Sequence, residues 1–181
     1  MKKIAISLAL VLISFVSVQA QKVVYDDHAE KRAIGAFHAI ETSSGIEVVI
    51  SKGDKEELAV SVGNQEYMDQ VKTVVDNGVL KITRTSDDWK FWNKWKNWRV
   101  KVYVSYVTLD AVKATSGGSI NASDINLSSL KARLGSGGSI SLSGKIDNLD
   151  VDGSSGAQFR GYSLITNQCK AEASSGAGVQ V

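Results

Sequence analysis

The sequence predicts an all-β fold in which a strand-rich first part merges into a right-handed parallel β-helix, or solenoid. Four related segments begin 20, 19 and 20 residues apart, and a period of about 20 residues with a glycine corner is typical of stacked β-coils. Apolar residues alternate ahead of these repeats, which indicates further strands. The chain has 16 glycines and no proline, a composition suited to strands and tight turns. The four segments occupy residues 116–120, 136–140, 155–159 and 175–179.

Residues 1–20 have the layout of a secretory signal peptide. Lys2 and Lys3 precede an apolar run at 4–18, and the small residue Ala20 precedes Gln21, as in signal peptides that are cleaved on export. The alternative is an uncleaved anchor, but the 15-residue run is shorter than the roughly 20 residues of a bilayer span. We therefore expect an exported protein, periplasmic, on the outer surface or extracellular, whose mature chain begins at Gln21 and has no transmembrane span.

Residues 21–108 are predicted to form the strand-rich first part. Apolar residues alternate at 46–50 and again at 58–62, as in half-buried antiparallel strands. Asn77-Gly78 separates two apolar runs, and this pair suits the two positive-φ positions of a type I′ hairpin turn. Residues 64–71 are compatible with one helical turn. Residues 100–104 alternate once more and lead into the repeats.

Residues 109–181 are predicted to form the solenoid, and aligning the repeats on their Ser-Gly pairs gives columns of equivalent residues. Such residues stack about 4.8 Å apart in parallel coils, so apolar columns should line the interior and a polar column should face water. Arg133 and Asp152 are neighbours in the polar column and should attract each other weakly. The apolar columns are Leu109, Leu130, Leu149 and Cys169, and Ile120, Ile140, Phe159 and Val179; the polar column is Lys113, Arg133, Asp152 and Glu172.

The corner glycines and the single cysteine both have a structural interpretation. Gly117, Gly137, Gly156 and Gly176 should supply positive φ at each corner. A phosphate-binding loop is the alternative, but it requires a helix N-terminus and usually a following lysine, which this pattern lacks. Cys169 falls in an apolar column, so we expect a buried, unreactive thiol.

The net charge and the numbers of cysteines and histidines argue against several classes of partner and site. Loss of Lys2 and Lys3 with the signal peptide reduces the 21 basic residues to 19, equal to the 19 acidic residues, and a neutral chain argues against nucleic acid as the main partner. With one cysteine, no internal disulfide can form. His28 and His38 have no cysteine or carboxylate at ligand spacing, so no metal or other cofactor is predicted.

The most unusual stretch is residues 87–99, where the four tryptophans of the chain recur every third residue. This period fits neither a strand nor an ideal α-helix, so we expect a loop or irregular ribbon. Three roles stay open: a loop folded over the β-core, a stacking platform for sugar rings, or an aromatic and basic patch that contacts lipid headgroups. The candidate binding residues, called here the aromatic segment, are Trp89, Phe91, Trp92, Trp95 and Trp98.

Several short patterns in a fixed order resemble one bacterial family. They are Phe-His-Ala-Ile at 37–40, Gly-Ile-Glu-Val at 45–48, Gly-Val-Leu-Lys-Ile at 78–82, Val-Lys-Val-Tyr-Val at 100–104, Leu109 and the Ser-Gly-Gly-Ser-Ile repeats. Together they resemble the family described as putative auto-transporter adhesin, head GIN domain. The resemblance implies an exported β-helical domain of Gram-negative envelopes with an adhesive role and no established catalytic residues. Such domains usually continue through further coils, whereas this chain stops at Val181 within its fourth repeat. An open solenoid end exposes unpaired backbone and apolar residues, so we expect either a truncated chain or an end that is capped by something else.

We expect a noncatalytic exported cell-envelope or adhesion-type binding module, whose partner is a glycan or an envelope surface. A carbohydrate-active β-helical enzyme is one alternative, and it would need clustered carboxylates. Asp147, Asp150 and Asp152 are close in sequence, but we expect the first two at the turn between coils, where acids are ordinary solvated residues. A purely structural envelope protein is the other alternative. The sequence leaves the oligomeric state open.

Overall fold

The computed structural model describes residues 29–85 and 99–181, so the predicted signal peptide and the aromatic segment lie outside the described residues. These ranges contain twelve strands and one 3-10 helix, Gln65–Gln70, and the all-β prediction is confirmed. The strands are β1 Glu30–Arg32, β2 Ala39–Thr42, β3 Glu47–Lys52, β4 Glu57–Val62, β5 Val71–Asp76, β6 Val79–Arg84, β7 Val100–Tyr106, β8 Ala111–Ala114, β9 Ser119–Leu134, β10 Ser139–Gly153, β11 Gln158–Ala173 and β12 Gly178–Gln180.

The corners between coils are two-residue type I′ turns. Ser116 and Gly117 have φ values of 49° and 73°, and the Gly118 amide donates to the Thr115 carbonyl over 2.9 Å, as this turn type requires. The predicted positive φ at each corner glycine is therefore confirmed, and the serine before it shares this conformation. Asn77-Gly78, the predicted hairpin turn, also has two positive φ values, 50° and 77°. As a Ser-Gly corner the turn occurs five times in the described chain, at Ser44-Gly45, Ser116-Gly117, Ser136-Gly137, Ser155-Gly156 and Ser175-Gly176.

Backbone hydrogen bonds join each corner to the next one. The first four corner glycines donate their N–H groups to the serine carbonyl of the following corner, over N···O distances of 3.0 to 3.2 Å. We call this series the corner ladder. It begins at Gly45, so the strand-rich first part supplies the first corner, and β2 and β3 stack directly on the repeats.

Strands on both sides of the corner ladder pair in parallel and belong to one curled sheet. Before the corners the order is β6, β2, β8 and the later parts of β9, β10 and β11. After the corners it is β7, β3, the early parts of β9, β10 and β11, and then β12. The pairs β1–β4, β4–β7 and β5–β6 are antiparallel. The right-handed β-helix itself stays a prediction.

The predicted isoleucine column forms a continuous part of the core. Val48 aligns with Ile120, which aligns with Ile140 and then Phe159, and each of these side chains is at most 1% exposed. Val179 aligns with Phe159 at the end of the column. Five stacked side chains thus lie beneath the strands that follow the corners.

The leucine column is confirmed only in part. Leu130 and Leu149 align and are buried, whereas Ala111 aligns with Lys131, which places Leu109 one residue out of this column. Cys169 aligns with Leu149 but is exposed, so the prediction of a buried thiol is wrong. The reason is that β12 covers only residues 158–160 of β11, and a column position is buried only where the next coil covers it.

The polar column has the predicted alignment but a different main ion pair. Arg133 aligns with Lys113 and Asp152, and its Nε lies 3.9 Å from an Asp152 carboxylate oxygen. Its two terminal nitrogens instead donate hydrogen bonds to the two carboxylate oxygens of Asp150, over 2.9 and 3.3 Å. Because Asp150 accepts both bonds, Arg133 lowers the pKa of this carboxyl below its ordinary value.

We expect Gly137→Val to lower the free energy of unfolding by at least ~1–2 kcal/mol, because a β-branched residue is poorly tolerated at positive φ. Gly137 has a φ of 72°, and no other atom lies within 4 Å of an added Cβ, so the destabilisation would come from the backbone alone. Denaturant melts would measure it, with Lys131→Ala as the control. Equal, negligible effects of both substitutions would contradict the corner assignment.

We expect the thiol of Cys169 to be alkylated in the folded protein. Partial burial and, to a smaller extent, the Asp150 carboxylate raise the pKa of this thiol, so alkylation should be slower than for a free thiol at neutral pH. The rate should rise roughly tenfold per pH unit, as the thiolate fraction does below the pKa. Mass spectrometry would follow the reaction, with Cys169→Ser as the blank. Labelling that requires denaturant would contradict the exposed position.

Candidate binding groove

An open groove of about 450 Å³ lies where the end of β4 meets the starts of β3 and β7. Strand pairing assembles it: Lys101 of β7 aligns with Ser61 of β4 on one side and with Glu47 of β3 on the other. The groove therefore combines side chains of the consecutive strands β3 and β4 with those of β7, which is distant from them in sequence. Its lining residues are Gly45, Glu47, Ser61, Val62, Gly63, Arg99, Val100, Lys101 and Tyr103.

The alternation of β-strands explains why the groove is polar. Val48, Val60 and Val102 are fully buried beneath it, so the residues next to them in each strand point to the opposite face. Lys101 and Tyr103 therefore project outward from β7. Outward polar residues line the groove, while the inward residues of the same strands form the core.

Backbone contacts hold the two ends of the groove. The Gly63 amide donates to the carbonyl of Arg99 over 2.9 Å, which fixes the chain just before β7. Gly45 belongs to the first corner, and its amide donates to Ser116 over 3.1 Å. Neither glycine has a side chain, so both leave space at the rim while their backbones are fixed.

Glu47 is the one carboxylate among the lining residues that the structure describes. One of its oxygens lies 3.5 Å from Lys101 Nζ and 3.4 Å from the Asn121 amide nitrogen that donates to it. Arg99 and Lys101 supply two positive charges, so these lining residues together carry a net positive charge. A glycosidase site needs two carboxylates at a defined separation, and this groove has one.

The acidic residues considered for an enzyme lie in β10 and contact side chains of β9, β10 and β11. Asp147 contacts Lys145 at 3.1 Å and accepts a hydrogen bond from Asn167 at 2.8 Å, and Asp150 pairs with Arg133. The expectation that Asp147 and Asp150 lie at a turn is wrong, because β10 runs through both positions. An Asp150 carboxyl with a lowered pKa stays ionised, which is unsuited to a general acid.

Hydroxyl and amide side chains continue from the groove across the parallel strands. Glu47 aligns with Ser119, and the same row continues through the next coils. Their neighbours in each strand, such as Ile120 and Ile140, are buried, so this row faces outward. We call this surface the polar strip; it comprises Ser119, Asn121, Ser139, Ser141, Gln158 and Arg160.

Comparison with known families decides where the chain belongs. The family model described as putative auto-transporter adhesin, head GIN domain matches residues 36–181. The chain belongs to this family. The resemblance drawn from the sequence patterns is thereby confirmed, and the family covers both the groove and the polar strip of this head GIN domain.

A solved structure of a putative adhesin supports the fold of this head GIN domain. A crystal structure of a putative adhesin from Bacteroides fragilis NCTC 9343 is 12% identical, with a TM-score of 0.57, and the match covers 80% of this chain and 75% of that one. A putative lipid binding protein from Parabacteroides distasonis ATCC 8503 is 15% identical, with a TM-score of 0.47 and coverages of 80% and 77%. No curated protein matches the chain.

The residues predicted for binding and the residues of the groove are different sets. Trp89, Phe91, Trp92, Trp95 and Trp98 lie outside the described residues, but Arg99, which directly follows this segment in the sequence, lines the groove. The sequence analysis did not select Glu47, Lys101 or Tyr103. The signal that would have found them is their outward position in the alternating runs 46–50 and 100–104.

The described part of the chain does not gather the metal-ligand types that the sequence offers. His38 Nδ1 lies 3.0 Å from an Asp110 oxygen at an exposed position, and His28 lies outside the described residues. In the ranges 29–85 and 99–181, no three histidine, cysteine or acidic side chains come together as a metal-binding group. The same ranges hold no helix with the length and apolar character of a membrane span.

Proposed function

We propose that this head GIN domain is a noncatalytic, exported binding module of the cell envelope, with an adhesion-type role toward glycans. The observation that carries the proposal is the continuous outward surface formed by the groove and the polar strip. The family description as an adhesin supports a role in binding to surfaces. Export rests on the signal-peptide layout of residues 1–20.

The chemistry of the polar strip suits a sugar chain. Serine hydroxyls and asparagine or glutamine amides provide both donors and acceptors, which is what sugar hydroxyls require. Neighbouring strands of a sheet lie about 4.8 Å apart. A glycan that crosses the strands would therefore contact a new polar side chain on each one. Connections between parallel strands of one sheet are nearly always right-handed. If the strands form a right-handed β-helix, the polar strip would lie on a single outer face of it.

The arrangement of acids supports binding over catalysis. Glu47 stands without a second carboxylate among the described lining residues, and Asp147 and Asp150 are held in ion pairs. The carbohydrate-active enzyme therefore becomes the second candidate, and release of new reducing ends from a bound glycan would favour it. Failure to retain any glycan or lipid would favour the purely structural alternative.

We also propose that the aromatic segment belongs to the recognition surface. It contains four tryptophans and directly precedes Arg99, a lining residue of the groove. Indole rings stack on sugar faces, and by analogy with aromatic pairs each stacked ring contributes about 1 kcal/mol beyond burial. The segment would thus add stacking to a surface that otherwise offers hydrogen bonds and charge.

We expect the double substitution of Trp92 and Trp95 by Ala to reduce glycan retention at least tenfold, because two stacking rings are lost. An array of neutral and acidic oligosaccharides and of anionic vesicles would measure retention, and thermal melting would measure the fold. A small change in the melting transition is expected. If the double variant unfolds, the segment covers the core; if it binds unchanged, the segment has no part in recognition.

Exported material should begin at Gln21, because the signal-peptide layout places the cleavage after Ala20. Intact mass measurement of the protein from the envelope fraction would test this. A mass that retains residues 1–20 would contradict cleavage and would favour the anchor instead.

A further inference from the structure

The cations of the groove lie in one row on the outward face of β7 and just before it. Arg99, Lys101 and Tyr103 occupy every second position, so their side chains point to the same face. A strand rises about 3.3 Å per residue, so the row from Arg99 to Tyr103 is about 13 Å long. This length is comparable to that of two linked sugar rings.

The two cations of the row differ in their partners. Lys101 lies between Ser61 and Glu47 in the sheet, and its Nζ is 3.5 Å from the Glu47 carboxylate. Among the described residues, Arg99 has no carboxylate partner. A planar guanidinium binds a carboxylate through two parallel hydrogen bonds, so Arg99 is the cation of the row best suited to a ligand carboxylate.

We propose that the groove binds a hexuronic acid residue of an acidic glycan, with the sugar carboxylate on Arg99 and Lys101 and the sugar ring against Tyr103. This inference rests on the proposed glycan-binding function and names its ligand class. Glu47 lies beside Lys101 and would accept hydrogen bonds from the sugar hydroxyls. Glu47 also competes with the ligand carboxylate for Lys101.

The polar strip indicates a glycan in preference to an acidic peptide. Its side chains after the groove are Ser119, Asn121, Ser139, Ser141 and Gln158, and a cation returns only at Arg160 on β11. A densely acidic peptide would need positive charge at every strand. A glycan in which acidic and neutral sugars alternate would place one carboxylate in the groove and neutral hydroxyls on the strip.

A matched pair of probes isolates the carboxylate. Hyaluronan oligosaccharides alternate hexuronic acid with neutral amino sugar, and their methyl esters keep the sugars but lose the charge. Titration calorimetry should show at least tenfold tighter binding of the acid than of the ester, with a preference that weakens as salt is added. Equal affinity for both would overturn the inference and leave glycan binding intact. Binding of neither would count against the proposed function as well.

Substitutions in the groove test whether the preference for the acid over its methyl ester arises there. Arg99→Gln and Lys101→Gln should each lower the affinity for the acid at least tenfold and leave the affinity for the ester unchanged. Glu47→Gln should do the opposite and strengthen binding of the acid, because the competing carboxylate is gone. Lys72→Gln, which makes the same charge change at an exposed position of β5, is the matched control and should change neither affinity.

Two results would overturn the assignment to an acidic sugar. The first is an acid preference that Lys72→Gln reduces as much as Arg99→Gln does, since that would indicate a general charge effect. The second is equally tight binding of a glutamate-rich peptide that depends on Arg99, since the groove would then recognise charge alone. Melting curves of each variant would confirm that the fold is retained, and the opposite sign expected for Glu47→Gln separates a binding role from loss of structure.

Discussion

The structure depends on the corner ladder, in which each of the first four corner glycines donates its amide to the serine carbonyl of the next corner. Two successive residues with positive φ make every turn tight, and the amide of the second reaches the adjacent coil. Space at the next position is also limited: a Cβ added to Gly138 would lie 2.2 Å from the Ala114 carbonyl oxygen. The later corners accommodate Ala157 and Ala177 there. Because the ladder sets the register at one edge, the strands on both sides stack with equivalent residues aligned.

Because of this register, the inward side chains of the strands form the apolar core, and the outward side chains can be polar or charged. The groove arises at β7, which is parallel to β3 on one side and antiparallel to β4 on the other. At this end the small polar residues of the polar strip are replaced by Lys101, Glu47 and Tyr103. The change in pairing therefore brings charged and aromatic side chains to one end of a surface that is otherwise uncharged as far as Arg160.

Alignment within a column and burial within a column are separate properties. Leu149 and Cys169 occupy equivalent positions, yet the first is buried and the second exposed, because only the first has a coil on each side. Ion pairs show the same independence from alignment. Arg133 aligns with Asp152 but binds Asp150 more closely, since a long exposed side chain reaches either carboxylate at little energetic difference.

The sequence by itself determined the strand content, the corner turns, the isoleucine column and the family, because local alternation and Ser-Gly pairs act over a few residues. It also contained the outward residues Glu47, Lys101 and Tyr103 as ordinary members of alternating runs. Only the tertiary structure brought them together, since residues more than 50 positions apart meet through the pairing of β3 with β7. Cys169 required the structure for the same reason. Its burial depends on whether a neighbouring coil covers it, and alternation within one strand carries no information about that neighbour.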